Sequence, residues 1–232
     1  MTRKFNRGPA KDLVDRHRAL RDPYECVFGG ANLLVPRGVF VPSLSNASLV
    51  LLESVQFEGR SRCLDMFCGS GAFGIIAALR GAQSVLVDKS HLAADCARSN
   101  AERNGLSDRV QVVVGDVLTA SSSLGRFDLV IANPPLLPQA PHSEYSEALA
   151  SPDFSAIRSF ISGLSSWLQD SSSVAYLVTS SIMDDFGMPV ESLLDGAMLE
   201  WALVNERSTP YEHYRVHQIS TIEGRGGCHR GS

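Results

Sequence analysis

The chain has 232 residues, 44% of them hydrophobic and 20% charged, with a formal net charge of −4 and a pI near 5.9. That length suits one domain with a short appendage, and the balance of apolar and charged residues is that of a globular protein with a substantial core. No apolar run reaches the roughly 18 residues of a membrane span, the polar N-terminus lacks a secretion signal's apolar core, and the acidic balance argues against a nucleic-acid partner, which wants a basic face.

Residues 1 to 21 are the local exception, with Arg3, Lys4, Arg7, Lys11, Arg16, Arg18 and Arg21 against Asp12 and Asp15. They read as a solvated basic helix or arm, with a grip on RNA or an acidic partner as the alternative. "ECVFGGANLLVP" reads as a short hairpin turning at Gly29-Gly30. A helix is expected from Ser43–Asn46 to about Val55. "RCLDMF" is a buried strand, "AFGIIAALRG" a helix closed by Gly81, and "QSVLVD" a second strand. "HLAADCARSNAERNG" is helical, "RVQVVVGD" a third strand and "FDLVIAN" a fourth. After a loop, 137 to 152, residues 153 to 168 read as helix, "SVAYLVTS" as a fifth strand and 184 to 196 as helix. "MLEWALVNE" and "EHYRVHQIS" face each other across "RSTP", and the glycine-rich end from residue 221 reads as a disordered tail. In "EHYRVHQIS", alternation puts Tyr214, Val216 and Gln218 on one face and Arg215, His217 and Ile219 on the other. The cysteines (Cys26, Cys63, Cys68, Cys96 and Cys228) form no CxxC pair. They suit reduced thiols in a cytoplasmic protein, and no metal site is expected.

Strand and helix in alternation give an α/β fold, a doubly wound, mostly parallel sheet with helices on both faces. The two final strands supply an antiparallel closing strand and bring the sheet to seven. Ligands of such sheets bind at the carboxyl ends of the strands, so the residues just after each strand carry the functional information. The first strand ends in "LDMFCGSGAFG", where Gly69, Gly71 and Gly74 have the GxGxxG spacing. Glycines allow a tight turn and let backbone N–H groups approach a ligand. The second strand ends in Asp88, placed to accept from two ribose hydroxyls. The third ends in Gly115-Asp116, where a carboxylate can receive an exocyclic amine. The fourth ends in Asn133-Pro134-Pro135, because the prolines lack the N–H groups a ladder requires. A dinucleotide dehydrogenase would use the glycines and Asp88 but leaves Asp65, Asp116 and Asn-Pro-Pro without a purpose. A binding module that keeps the pocket without chemistry is a further alternative.

This ordered set resembles the class I S-adenosylmethionine (SAM)-dependent methyltransferases. Its Asn-Pro-Pro is similar to the branch containing release-factor glutamine and N6-adenine type methyltransferases. "VPRGVFVP" resembles the segment with which that branch covers the methionine end of SAM. The resemblance implies a Rossmann-like SAM-binding catalytic domain over 57–220, after an arm, hairpin and cover helix over 1–56 and before a tail at 221–232. It implies cofactor contacts from Asp65, Phe67, Cys68, Gly69, Gly71, Asp88, Lys89, Asp116, Val117 and Asn133. Asp88 would hold the ribose, Asp116 the adenine amine, and Val117 would lend its backbone to the ring. Asp65 and the loop from Cys68 to Gly71 would line the methionyl part. Asn133 and Pro134 would orient an attacking NH₂ through their carbonyl oxygens.

Phe40, Leu136 and Tyr176 are candidates on the acceptor side; for Tyr176, mid-strand, core packing is the default and a ring facing the sulfonium the alternative. His142 and Tyr145 are polar candidates on the loop above. The branch usually carries an aromatic residue where this chain has Leu136. The missing ring, the short N-terminal segment and the acidic charge together predict a small aliphatic amine as acceptor, with a nucleic-acid partner unlikely and no membrane. The alternatives are RNA or protein glutamine as acceptor, or attack by SAM's own amine. That attack closes azetidine-2-carboxylate and releases methylthioadenosine. Oligomeric state is left open.

Overall fold

In the computed structural model, which describes residues 8–117, 124–138 and 149–222, the alternating pattern resolves into a single seven-stranded sheet and a separate hairpin. Of the tail expected over 221–232, Thr221 belongs to β9 and residues 223–232 lie outside the described residues, as do the arm residues Arg3, Lys4 and Arg7, and His142 and Tyr145.

Helix α1 (Gly8–Arg18) leads into the hairpin β1 (Tyr24–Phe28) and β2 (Ala31–Val35). Its two-residue turn takes left-handed φ at both Gly29 (+57°) and Gly30 (+92°), the geometry that matches the natural twist of paired strands. A 3-10 turn (Pro42–Leu44) precedes α2 (Asn46–Ser54), which Ser45 caps by accepting the Ser48 N–H. Then follow β3 (Arg62–Met66), α3 (Ala72–Leu79), β4 (Gln83–Asp88), α4 (His91–Arg103), β5 (Val110–Val114) and β6 (Leu129–Ala132). The chain finishes with α5 (Ser155–Trp167), β7 (Val174–Ser180), α6 (Ile182–Asp185), α7 (Val190–Gly196), β8 (Leu199–Ser208) and β9 (His213–Thr221). The sequence predicts one helix over 184–196. Instead it breaks at Gly187, whose φ is +71°, and Pro189, which opens α7 in an extended conformation.

The strand order is β5-β4-β3-β6-β7-β9-β8. All neighbours from β5 to β7 run parallel, and β9 is antiparallel to both β7 and β8. The order therefore switches direction at β3, and the crevice above β3, β4 and β6 is where such a sheet takes its ligand. The hairpin, α2, α3 and α4 cover one face, and α5 and α7 cover the other. β9 alternates as its sequence predicts, with Val216 in the first layer and Ile219 in the second. Among the described residues no helix is long and apolar enough to cross a membrane.

Two amides on α4 fasten the hairpin to this frame. Asn104 accepts the Asn32 N–H (2.9 Å) and donates to the Asn32 carbonyl (2.8 Å), completing the edge of β2 as another strand would. One turn earlier, the fully buried Asn100 accepts the Leu34 N–H (2.8 Å) and donates to the Ser70 carbonyl (3.0 Å). The hairpin is thereby tied to the glycine loop through one side chain.

Gly74 decides how closely α3 lies on the sheet. A Cβ there would come within 2.4 Å of Leu86 Cδ1 and 2.7 Å of its Cγ, and Leu86 is fully buried with no room to yield. We expect Gly74→Ala to destabilise the fold by about 1–3 kcal/mol, since overfilling a packed site outweighs Ala's better helix propensity. Gly196→Ala, on a helix with open space at the Cβ position, is the control and should be neutral or slightly stabilising. Thermal denaturation of the two variants checks the difference, and equal midpoints would contradict it.

Candidate active site

Where β3 ends, the chain must turn sharply to enter α3. Phe67 takes a left-handed φ of +62°, unusual for a residue with a Cβ, and Gly69 and Gly71 follow at +53° and +82°. The Cys68 N–H bonds to the Val87 carbonyl of β4 (3.0 Å), and the Gly71 N–H closes the turn on the Cys68 carbonyl (2.8 Å). Asp88, at the end of β4, accepts the Gly69 N–H on Oδ2 (2.9 Å) and the Ser90 N–H on Oδ1 (2.9 Å). Burial pushes its carboxyl pKa up, against those two amides. Each oxygen keeps a lone pair for a ligand hydroxyl.

These residues line a cavity of about 750 Å³ at the carboxyl edge of the sheet, a size that accommodates a small-molecule ligand with room beside it. Gly38 to Phe40 and Pro42 form one wall. Of the residues singled out in the sequence, Phe40, Phe67, Cys68, Gly69, Asp88, Lys89, Asp116, Val117, Asn133 and Pro134 lie on the lining. Asp116 is half-buried beside the buried Val117. The remaining wall, Leu149 to Pro152 with Ser155 and Ala156, was not legible in the sequence. It is brought in by a short parallel bridge in which the Leu137 N–H donates to the Leu149 carbonyl (2.9 Å) and the Ser151 N–H to the Leu137 carbonyl (2.8 Å). Ser151 Oγ then accepts the Ala156 N–H at the start of α5 (3.1 Å). "SP" ahead of a helical run was the available signal for that cap.

Four expected contacts are placed elsewhere. Asp65 is 1% exposed and sits behind the loop, where its Oδ2 accepts the Gly74 N–H (2.8 Å); it shapes the cradle and does not line it. Gly71 also stands behind the wall, its missing Cβ making room for Leu86 and Ala97. Leu136 packs against both core layers instead of facing the cavity. Tyr176 is 1% exposed, in the core layer that contains α2 and α3, so its ring does not reach the lining. Sequence reasoning also missed Ser48, which is fully buried on α2 and accepts a hydrogen bond from Asn133 Nδ2 at 3.0 Å.

The cavity fits SAM on the chain's own terms. Gly69 lies on the lining with open space where a Cβ would project, so its backbone presents a bare surface to a ligand. Residues 31–149, just over half of the chain, match the family model described as methyltransferase small domain. The chain belongs to that family and has its Rossmann-like methyltransferase fold. It is 36% identical over 129 residues to the release factor glutamine methyltransferase of Chlorobaculum tepidum, covering 50% of this chain and 44% of that protein. It is 37% identical over 87 residues to the tRNA1(Val) (adenine(37)-N6)-methyltransferase of Porphyromonas gingivalis, covering 35% and 34%. Among solved structures, the T. thermophilus 16S rRNA N2 G1207 methyltransferase in complex with AdoMet and guanosine superposes with a TM-score of 0.63. That match has 22% identity and covers 86% of this chain and 50% of the other. The chain spans under half the length of the curated relatives named here.

These relatives correct the partner expected from the sequence. A small molecule or SAM alone, with nucleic acid unlikely, is not what the family's similar members use: they act on tRNA or on a protein glutamine. The acidic net charge was the wrong guide, because it describes the whole surface and not the site.

Burial raises the Asp65 carboxyl to about 7, opposed by the Gly74 N–H and reinforced by the nearby Asp88 charge. The folded protein therefore holds a proton that the unfolded chain releases near pH 4, and stability should fall as pH rises from there to about 7. Asp65→Asn keeps an oxygen for the Gly74 N–H but has nothing to ionise. Its melting temperature should be less pH-dependent than the wild type's across that window. Parallel profiles for the two proteins would show Asp65 to be ionised throughout.

Proposed function

We propose that this protein transfers a methyl group from SAM to the side-chain amide nitrogen of a protein glutamine. The observation that carries the nitrogen chemistry is Asn133, which lines the cavity at the end of β6 while its Nδ2 is held by Ser48. Oδ1 is thus left to accept an N–H from the acceptor, and Pro134, also on the wall, adds a backbone carbonyl of the same kind. Two acceptors fix the direction of the nitrogen lone pair, which is positioning in place of base catalysis. They also offset the positive charge that builds on the nitrogen as it attacks.

Asp88 would hold the ribose hydroxyls, Asp116 the adenine amine, and the loop from Phe67 to Gly69 the methionyl arm. Bound there, SAM supplies the electrophilic methyl group. The lining that contains Asn133 also carries Pro134, Pro135, Leu149, Ala150 and Pro152, with Ser151 and Ser155 among them. Such a slot suits the methylene stem of a glutamine whose amide alone reaches Asn133. Leu136 is not among the cavity-lining residues and packs against both core layers, so it does not weigh against this acceptor. The glutamine methyltransferase of Chlorobaculum tepidum supports the same choice, and we place the reaction in the cytoplasm.

The test supplies methyl-labelled SAM with a release factor, a ribosomal protein or total tRNA, and locates the label by mass spectrometry. We expect it on a glutamine. Label in RNA only would overturn the glutamine reading in favour of a base amine, and label in none of them would overturn both. In the same preparations, Asp88→Ala and Asp116→Ala should each weaken SAM binding by about tenfold or more in calorimetric titration. Each removes an acceptor of hydrogen bonds worth about 1–3 kcal/mol. Unchanged affinity in both variants, with the fold intact, would remove these residues from the SAM site.

A further inference from the structure

The two ends of an asparagine amide are nearly the same size and shape, and its terminal torsion is broad and roughly two-fold. Shape alone therefore does not decide which end of Asn133 faces the acceptor. The chemistry does depend on it. With Oδ1 forward, the amide accepts an acceptor N–H and aligns the nitrogen lone pair. With Nδ2 forward, two sets of N–H donors oppose each other, and the nucleophile is pushed away.

We infer that Ser48 is a positioning residue for Asn133: its buried hydroxyl anchors the Nδ2 end of the amide on α2, so that the side chain keeps one rotamer with Oδ1 toward the acceptor nitrogen. The inference rests on the role given to Asn133 above and deepens it. Three observations carry it. Ser48 Oγ lies 3.0 Å from Asn133 Nδ2, in a contact that joins residues 85 apart in the chain. Ser48 is fully buried, so no water stands ready to replace its hydroxyl if that is removed. Its own position is fixed, because Ser48 lies in the first turn of α2 with its N–H bonded to the Ser45 cap (3.4 Å), and α2 packs across β7 and β9.

Ser48 is not itself on the cavity lining and reaches the site through Asn133 alone. Its contribution is to anchor one end of the Asn133 amide and so limit the side chain's rotation. Removing it would leave Nδ2 without a buried partner and Asn133 free to rotate. Ser48→Ala should therefore lower kcat for methyl transfer by about tenfold to a hundredfold, as misplacement of a reacting group does. SAM affinity and the KM for the protein acceptor should stay within about twofold of wild type. Ser48→Thr, which restores a hydroxyl, should recover most of the rate.

The closing experiment includes a readout that needs no acceptor. In ¹⁵N-labelled protein, the Asn133 side-chain NH₂ pair is assigned by its absence from Asn133→Ala, and its exchange with water is measured. We expect slow exchange in wild type, at least about fivefold faster exchange in Ser48→Ala, and slow exchange again in Ser48→Thr. Unchanged exchange in Ser48→Ala would overturn the inference, as would a full kcat in that variant or a loss of SAM affinity that matches the loss of rate. Should wild type methylate neither protein nor RNA, the proposed function fails while the exchange comparison still decides whether Ser48 holds the amide.

Discussion

The Asp65 carboxylate accepts the Gly74 N–H while both are shut away from water, and the loop between them takes its course from that contact. A buried carboxylate is costly unless hydrogen-bonded, and the partner it finds here is a backbone amide in the first turn of α3, where donors have no partner within the helix. The contact pins the start of α3 against the middle of β3. The absence of a side chain at Gly74 then lets α3 settle against Leu86 of β4. Between these fixed points the chain has few residues in which to reverse, so it adopts left-handed conformations at Phe67, Gly69 and Gly71. Those conformations bring the Gly69 amide onto Asp88. Strand β3, strand β4 and the loop thus form one connected unit, and Asp65 serves the site without touching the cavity.

The segment from α1 to α2 is tied into the same unit by specific contacts. Phe40, on the cavity wall, stacks on the buried His17 of α1 with ring centroids 5.2 Å apart. His17 Nε2 accepts the Val41 N–H (3.0 Å), so the ring hydrogen resides on Nδ1 and donates to the Leu13 carbonyl (2.7 Å). Burial lowers the His17 pKa, which favours this neutral form; a proton on Nε2 would set two donors face to face. Together with Asn100 beneath the hairpin and Ser48 behind Asn133, this gives the N-terminal segment three separate holds on the cavity. The position of that wall is a property of the packed chain and not of the loop alone.

Strand ends were legible in the sequence because a parallel sheet makes them so. Apolar runs in alternation with helices give the topology, the topology gives the switch point, and the residue after each strand must then face the crevice. Asp88, Asp116 and Asn133 follow from that reasoning alone. Tyr176 did not, because β7 is buried on both faces and its composition carries no signal about which side a given residue occupies. Leu136 follows two prolines, where the period of two that assigns faces has already ended. Ser48 and Asn133 are brought together only by the packing of α2 across the sheet, and no local pattern announces a contact between residues so far apart. The wall from Leu149 to Ala156 was invisible for a related reason. It depends on a bridge to Leu137 and on a turn in which Asp153 and Phe154 take left-handed φ of +52° and +50°, conformations that residue types other than glycine rarely advertise.

Net charge misled for a physical reason that separates chemistry from recognition at this site. Basic residues counted in the sequence are partly spent within the fold: on α1, Arg16 pairs with Asp12 and Arg18 with Asp15. A total of −4 thus reports neither an attractive nor a repulsive surface at the cavity mouth, where fields act over a Debye length of about 8–10 Å. The groups that select an acceptor are those within touching distance of it. In the proposed reaction the Asn133 carbonyl oxygen asks only for an N–H donor, and an exocyclic amine and a side-chain amide both provide one. Discrimination between them must come from the shape of the slot beside it, and the prolines and small aliphatic residues there offer width for a methylene chain. On this division of labour, loop and strand ends conserve the reaction while the wall from Leu149 to Ala156 is the place where a change of acceptor would be written.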